Sequence, residues 1–169
     1  MVTNQRSAPA ARFCTAASRD RTLSFISTLV RVKKRVLFLC TGNAARSQMA
    51  EGLARAFHGE LLDVVSAGSR PAGWVHPLAV QALAEIGIDA TGHTSKSAKQ
   101  FLDEPFDVVV TVCDSAARDC PTWPGAKRIE HWPIVDPSFG PDDPETRFQR
   151  FVETRDELER RIDELVASL

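Results

Sequence analysis

The residues at positions 40–47 combine a nucleophile with groups that bind anions. The segment, called the oxyanion loop below, reads Cys40-Thr41-Gly42-Asn43-Ala44-Ala45-Arg46-Ser47. The guanidinium of Arg46 offers a planar fork of donors that matches two oxygens of a tetrahedral oxyanion. Such positive surroundings stabilise a thiolate and lower its pKa from about 8.5 to roughly 3.5–7.5. The chemistry that this predicts is attack of the Cys40 sulfur on a bound oxyanion.

The other loop residues suit a chain that curls around an anion. Gly42 is predicted to adopt backbone angles that other residues resist, and Asn43 tolerates a left-handed conformation and can brace the loop. Ser47 can donate its hydroxyl to the Cys40 thiolate or cap the following helix, and the two roles are compatible. The alternative is that Cys40 is an inert buried cysteine and Arg46 an ordinary surface residue. The strand predicted before the loop and the helix predicted after it favour the anion site.

Alternating strand and helix patterns surround this loop. Short apolar or β-branched runs predict strands over residues 35–40, 61–66, 106–112 and 127–132. Apolar residues at helical spacing predict helices over residues 47–57, 77–86 and 95–102, and from Asp143 to the end of the chain. This alternation predicts an α/β fold of three layers, with a four-stranded parallel sheet flanked by helices. If the first strand is central, Cys40 lies at the switch point of the sheet, where ligands bind.

Composition restricts the class of protein. The chain has 169 residues, of which 43% are hydrophobic and 25% are charged, as in a soluble globular domain. Its net charge of −1 gives no global field for nucleic acid or an anionic membrane, and no apolar run in the sequence is long enough to span a bilayer. We therefore expect a cytoplasmic monomer without a nucleic-acid or membrane partner. No cofactor and no metal are expected, because Cys113, Cys120 and His131 do not complete a tetrahedral zinc site.

The first 35 residues differ from the rest. They are rich in Arg, Ser and Ala and contain one acidic residue, Asp20. An organelle transit peptide has this composition, but we favour a disordered tail or a start codon assigned too early, because the remainder has the pattern of a complete domain. The predicted organisation is an extension over residues 1–33 and one domain over residues 34–169. A short helix is predicted over residues 22–32, and Cys14 is given no role.

The oxyanion loop resembles the phosphate-binding loop of the low-molecular-weight tyrosine phosphatase fold. Asp136-Pro137, after the fourth predicted strand, matches the Asp-Pro pair that supplies the general acid in that family, and the resemblance covers residues 34–169. It implies that Cys40 is the nucleophile, that Arg46 clamps the oxyanion and that Asp136 donates a proton. A turn residue before proline is the alternative for Asp136.

Three features favour one branch of this fold. The run Ser47-Gln48-Met49-Ala50-Glu51-Gly52 is similar to thioredoxin-linked arsenate reductases, whereas phosphatases of the fold usually have Ser-Pro. Those phosphatases also carry tyrosines after Asp-Pro, and this chain has no tyrosine. The stretch from Cys113 to Cys120, followed by Pro121, matches the redox segment of the reductases.

The positions of Cys113 and Cys120 in the chain are informative without the resemblance. Cys113 ends the third predicted strand, which is expected to neighbour the first, so it lies within reach of Cys40 after a modest loop movement. The plain alternatives are that Cys113 is a small core residue and that Cys120 is incidental.

The resemblance implies a relay of three thiols. Cys40 attacks arsenate, for which phosphate or sulfate are analogues, and Asp136 protonates the leaving oxygen. Cys113 then attacks Cys40 and arsenite departs. Cys120 attacks Cys113, and thioredoxin reduces the resulting disulfide.

Other interpretations remain open at this point. The chain is alternatively a low-molecular-weight protein tyrosine phosphatase, and weak phosphatase activity is expected even from a reductase. A non-catalytic oxyanion-binding or redox-sensing module is a third possibility, and glutaredoxin or mycothiol would be a different reductant. Some relatives bind potassium through positions that match Asn43, Glu51 and Ser66. Lys96 stands where they have an aspartate, so we expect its ammonium to pair with Glu51 and activity to be independent of potassium, unless Lys96 points to solvent.

Overall fold

The four predicted strands form one parallel sheet. A computed structural model describes residues 32–112, 123–140 and 143–169. The strands are β1 (Lys34–Cys40), β2 (Leu62–Gly68), β3 (Phe106–Thr111) and β4 (Ala126–His131). They lie in the order β2-β1-β3-β4. The prediction of a four-stranded parallel sheet is confirmed, with strand ends that differ by a residue or two.

Three helices in the described ranges match the predicted helical patterns. They are α1 (Arg46–His58), α2 (Pro77–Ala84) and α3 (Pro144–Ala167). The helix predicted over residues 95–102 is a single 3₁₀ turn, Ala98–Phe101. Asp143 caps α3 by accepting a hydrogen bond from the Thr146 N–H at 2.8 Å, which is the role that an acidic residue before proline favours. No helix in the described ranges is long and apolar enough to cross a membrane.

The sheet is buried on both faces, which explains why its central strands are apolar runs and not alternating patterns. One face carries Val36, Phe38 and Cys40 and packs against α1, α2 and α3. The opposite face carries Leu37 and Leu39 and packs in the described region against Ala98, Phe106 and Trp123. By contrast, β4 is an edge strand whose residues 127–129 are exposed.

The first strand is central, as the switch-point prediction requires. Its residues pair with β2 on one side, where Cys40 lies opposite Gly68, and with β3 on the other, where Leu39 lies opposite Thr111. The chain order reverses at β1, so the carboxyl ends of the strands leave a crevice there. Cys40 is the last residue of β1 and lies at that crevice.

The helix α3 contains a buried arginine that the periodic pattern did not identify. Arg155 is only 7% exposed, although arginine is rarely buried. Its Nη1 donates to the carbonyl of Ala82 at 2.8 Å. This carbonyl belongs to the last turn of α2, where a cation is favourable because of the helix dipole. Arg155 therefore fastens α2 to α3, away from the carboxyl edge of the sheet.

Candidate active site

The thiol of Cys40 lies at the base of the oxyanion loop, surrounded by donors. Cys40 is 3% exposed. Its Sγ lies 2.9 Å from Ser47 Oγ and accepts a hydrogen bond from the Asn43 backbone N–H at 3.1 Å. The N-terminus of α1 has no side-chain cap. Of the two roles predicted for Ser47, the structure therefore places its hydroxyl on the cysteine and not on the helix end.

Asn43 braces the loop, as predicted. Its φ is 47°, the left-handed conformation that asparagine tolerates better than most residues. Its amide donates to Ser47 Oγ at 2.9 Å and to Ser66 Oγ at 2.8 Å. Its Oδ1 accepts from Gln48 Nε2 at 2.9 Å and from the Lys96 backbone N–H at 2.6 Å. Asn43 is fully buried, so these bonds fix the shape of the loop before any ligand arrives.

The glycine that the loop needs is Gly68 and not Gly42. Gly42 does not adopt a positive φ, because the loop reverses at Asn43 instead, so the prediction for Gly42 is wrong. At Gly68, a Cβ would lie 2.7 Å from the Thr41 carbonyl oxygen and 2.9 Å from the Asn43 nitrogen. Only glycine allows β2 to approach the loop this closely. The signal in the sequence is a glycine two residues after the strand predicted over residues 61–66.

Arg46 and Asp136 meet across the mouth of the loop. Arg46 Nη2 donates to Asp136 Oδ2 at 2.6 Å, and its Nη1 donates to the Ile134 carbonyl at 2.8 Å. The side chain of Arg46 is 10% exposed and that of Asp136 is 29% exposed. The two residues are far apart in sequence, and the structure brings them together as the resemblance implied. In this ligand-free form, the guanidinium thus engages protein oxygens at the place where it would hold an oxyanion.

The predicted lowering of the Cys40 pKa is wrong for this ligand-free arrangement. Burial raises the pKa of the Cys40 thiol above the ordinary value of 9.0, and hydrogen bonds from Ser47 and Asn43 together with the charge of Arg46 oppose this only in part. The physical reason is burial, because a sulfur that is only 3% exposed loses the hydration that a thiolate needs. In addition, the Asp136 carboxylate beside the Arg46 guanidinium weakens the positive field at the sulfur.

Behind the loop, Lys96 occupies the position that a cation would need. Its Nζ lies 3.1 Å from Glu51 Oε2, and the same carboxylate oxygen accepts a hydrogen bond from Ser66 Oγ. Arg55 binds the other oxygen of Glu51 at 2.6 Å. Lys96 therefore pairs with Glu51 as expected and does not point to solvent. The residues here do not fit a potassium ion, because an ammonium already neutralises the carboxylate that would bind it.

Cys113 and Cys120, the cysteines predicted to form the relay with Cys40, lie outside the described residues, as do residues 1–31, which contain most of the predicted extension and its short helix. The described chain nevertheless reaches Val112, the residue before Cys113. The Val112 N–H donates to the Leu39 carbonyl at 2.8 Å, and Leu39 is the residue before Cys40. At Val112, the last described residue before residue 123, the chain that leaves β3 thus lies beside the end of β1.

Comparison with known proteins identifies the family. A family model described as low molecular weight phosphotyrosine protein phosphatase matches residues 35–169. The chain belongs to this family. The resemblance that was inferred from the oxyanion loop and from Asp136-Pro137 is thereby confirmed, and so is the fold class.

Within the family, the similar proteins include arsenate reductases. An arsenate reductase of Halalkalibacterium halodurans is 45% identical over 130 residues, which cover 77% of this chain and 93% of that protein. A solved arsenate reductase in the phosphate binding state has a TM-score of 0.67 and 32% identity, covering 80% of this chain and 98% of that one. A thioredoxin-dependent arsenate reductase of Corynebacterium glutamicum has a TM-score of 0.62 and 33% identity, covering 80% of this chain and 61% of that one.

Proposed function

We propose that this protein is an arsenate reductase that uses Cys40 as its nucleophile and thioredoxin as its final reductant. The observation that carries the proposal is the meeting of a buried thiol, an arginine and a carboxyl group at one edge of the sheet. The similarity to arsenate reductases, one of them thioredoxin-dependent, supports the choice of substrate and reductant. The thiols require a reducing compartment, so the proposal includes a cytoplasmic location and a role in arsenical resistance.

Binding of arsenate would begin with a change of partner at Arg46. Its guanidinium fits two oxygens of the oxyanion in the same bidentate manner as it now holds Asp136 and Ile134. The backbone N–H groups of the oxyanion loop and the N-terminus of α1 add further donors. Because Asn43 already holds the loop in shape, little reorganisation is needed on the nucleophile side.

The first covalent step would form a bond between Cys40 Sγ and arsenic. The thiolate supplies the electron pair, one arsenate oxygen leaves, and Asp136 gives it the proton with which it departs as water. Ser47 Oγ, 2.9 Å from the sulfur, stabilises the thiolate before attack. The product of this step is a thiol–arsenate adduct that still contains As(V).

Reduction would follow in two thiol exchanges. The Cys113 thiolate attacks Cys40 Sγ, the sulfur–arsenic bond breaks, and its electron pair converts As(V) to As(III), which leaves as arsenite. Cys120 next attacks Cys113, which releases Cys40 and leaves a Cys113–Cys120 disulfide. Thioredoxin reduces this disulfide by exchange. The close passage of Val112 beside Leu39 supports the first of these exchanges.

The test is NADPH oxidation with arsenate, thioredoxin and thioredoxin reductase. We expect turnover by the wild type and none by Cys40→Ser, Cys113→Ser or Cys120→Ser. Cys14→Ser is the matched control and is expected to behave as wild type. Turnover with glutaredoxin or mycothiol but not with thioredoxin would support the reduction of arsenate and contradict the choice of thioredoxin as the final reductant.

A low-molecular-weight protein tyrosine phosphatase is the second candidate, favoured by the same Cys40, Arg46 and Asp136 constellation. Phosphate and arsenate share charge and shape, so the proposal includes a weak phosphatase side activity. If arsenate is not reduced, an aryl phosphate is hydrolysed efficiently and only Cys40→Ser is inactive, the second candidate replaces the first.

A further inference from the structure

The loop that carries Asp136 is fastened to α3 by an arginine for which the mechanism above has no role. We call residues 133–140 the acid loop. Arg150 of α3 donates from Nε to the carbonyl of Pro137 at 3.2 Å. Pro137 directly follows Asp136 and is buried, whereas Val135 on the other side of Asp136 is 83% exposed. The arginine thus holds the acid loop on its buried side, one residue from the carboxyl group.

A second feature shows that the loop accommodates this arginine closely. Gly140 has a φ of 135°, and a Cβ at this position would lie 2.9 Å from Arg150 Cζ and 3.0 Å from its Nη1. The backbone of Gly140 therefore lies directly against the guanidinium. Any larger residue would displace the guanidinium and would also strain the backbone.

Polar contacts supplement packing in holding the acid loop. Ile134 and Pro137 are buried, but an open groove of about 320 Å³ lies between residues 133–137 and the α3 residues Glu153 and Thr154. Where the loop borders this groove, polar contacts contribute to its position. Arg46 provides two of these contacts, to Ile134 and Asp136, but in the proposed mechanism Arg46 turns to the oxyanion.

We propose that Arg150 is a positioning residue that keeps the Asp136 carboxyl at the reacting oxygen by holding the Pro137 carbonyl, with Gly140 making room for its guanidinium. This proposal rests on the proposed function, since it requires Asp136 to be the proton donor. The hold on Pro137 is independent of Arg46 and persists when Arg46 binds the oxyanion. A misplacement of about 1 Å in a reacting group can cost roughly 100-fold in rate.

The experiment is a double-mutant cycle between Arg150 and Asp136 on the full chain. In the wild-type background, Arg150→Met is expected to lower kcat about 10- to 100-fold and to leave the KM for arsenate unchanged, because the oxyanion loop is untouched. In the Asp136→Asn background, the same substitution is expected to change kcat less than about twofold, because no acid remains to be positioned. Arg150→Lys keeps a donor and is expected to recover most of the lost kcat.

Two controls separate positioning from stability. Arg155→Met removes another α3 arginine that donates to a backbone carbonyl, that of Ala82, and it is expected to lower thermal stability without lowering kcat. Gly140→Ala is expected to reproduce the loss of kcat seen in Arg150→Met, whereas Gly87→Ala is not. Gly87 also has a positive φ, of 80°, but a Cβ there meets nothing within 4 Å.

An equal loss of kcat from Arg150→Met in both backgrounds would overturn the inference and leave the proposed function intact. If Asp136→Asn has no effect on kcat, the inference fails together with the role of Asp136. If wild type hydrolyses p-nitrophenyl phosphate but does not reduce arsenate, the proposed function fails, and the same cycle measured on the phosphoester decides the inference, because Asp136 would protonate that leaving group as well.

Discussion

The two loops that form the candidate active site are held in different ways. The oxyanion loop has a fully buried asparagine at its centre, whose amide makes hydrogen bonds to two serines, a glutamine and a backbone N–H. The acid loop has exposed apolar side chains at Val135 and Phe139 and an open groove beside it. Two arginines of other elements, Arg46 and Arg150, donate hydrogen bonds to it.

This difference indicates that the two loops have different roles. The oxyanion loop, residues 40–47, is the rigid half of the site, and the acid loop, residues 133–140, is the adjustable half. A nucleophile and an anion-binding loop stabilise the transition state better when they are fixed in advance, since preorganised donors need no reorganisation energy during the reaction. A proton donor must meet an oxygen that moves as its bond breaks. A loop held by arginine side chains can follow that oxygen over a short distance more easily than one held by a buried network, and Arg150 limits the movement at Pro137.

The largest expected effect comes from Asp136→Asn, which removes the acid and leaves the rigid half intact. We expect kcat to fall about 10²- to 10⁴-fold, the usual contribution of a general acid. The same change removes the carboxylate that now neutralises Arg46. The pKa of Cys40 should therefore fall, although catalysis is lost.

The pH dependence of Cys40 alkylation by iodoacetamide, followed by mass spectrometry of its peptide, measures this second effect. Since burial raises the pKa of Cys40 in wild type, the alkylation rate should rise with a midpoint at higher pH than that of an exposed cysteine. In Asp136→Asn the midpoint should shift to lower pH. An unchanged midpoint would mean that the two halves are electrostatically independent.

Sequence patterns predicted the rigid half better than the adjustable half. The strand before Cys40 is buried on both faces and is therefore an apolar run, and the left-handed Asn43 follows from the residue type alone. The pairing of Arg46 with Asp136 and the hold of Arg150 on Pro137 join residues from distant elements. No local signal marks such contacts, because they depend on how the acid loop and α3 pack beside the oxyanion loop.

The same limit explains the two wrong predictions in the loop. The pKa of Cys40 depends on how completely the packed chain excludes water and on which group the Arg46 guanidinium binds. The spacing of residues in the sequence determines neither. Gly42 was chosen because glycine permits a reversal, but Asn43 supplies it. The glycine that is needed, Gly68, comes from the neighbouring strand, and its role depends on the register of β1 and β2.

A smaller effect is expected from Asn43→Ala, which tests whether the rigid half is rigid because of this side chain. Loss of its amide leaves the Lys96 backbone N–H without its partner and removes one of the two hydrogen bonds of Ser66 Oγ, so we expect a loss of about 2–4 kcal/mol in the free energy of unfolding. Urea denaturation measures it. Asn43→Gly is the matched control: it also removes the contacts but tolerates the φ of 47°, so it should be less destabilised by about 1 kcal/mol. Equal stability of all three proteins would show that the backbone holds the loop without the amide.

The smallest effect concerns the ammonium behind the rigid half. Wild-type activity should be the same in potassium and sodium chloride at equal ionic strength, because Lys96 already neutralises Glu51, which is 1% exposed.

Lys96→Asp places a carboxylate where potassium-binding relatives have one, next to Asn43, Glu51 and Ser66. This variant should be less stable than wild type in sodium, and potassium at tenfold excess over its Kd should restore about 1.4 kcal/mol. Lys96→Met is the control, since it loses the ammonium without gaining an oxygen ligand and should not respond to potassium. If potassium changed the activity of wild type, the ion would have to displace the Lys96 ammonium from Glu51. The contacts behind the oxyanion loop would then be less rigid than their hydrogen bonds indicate.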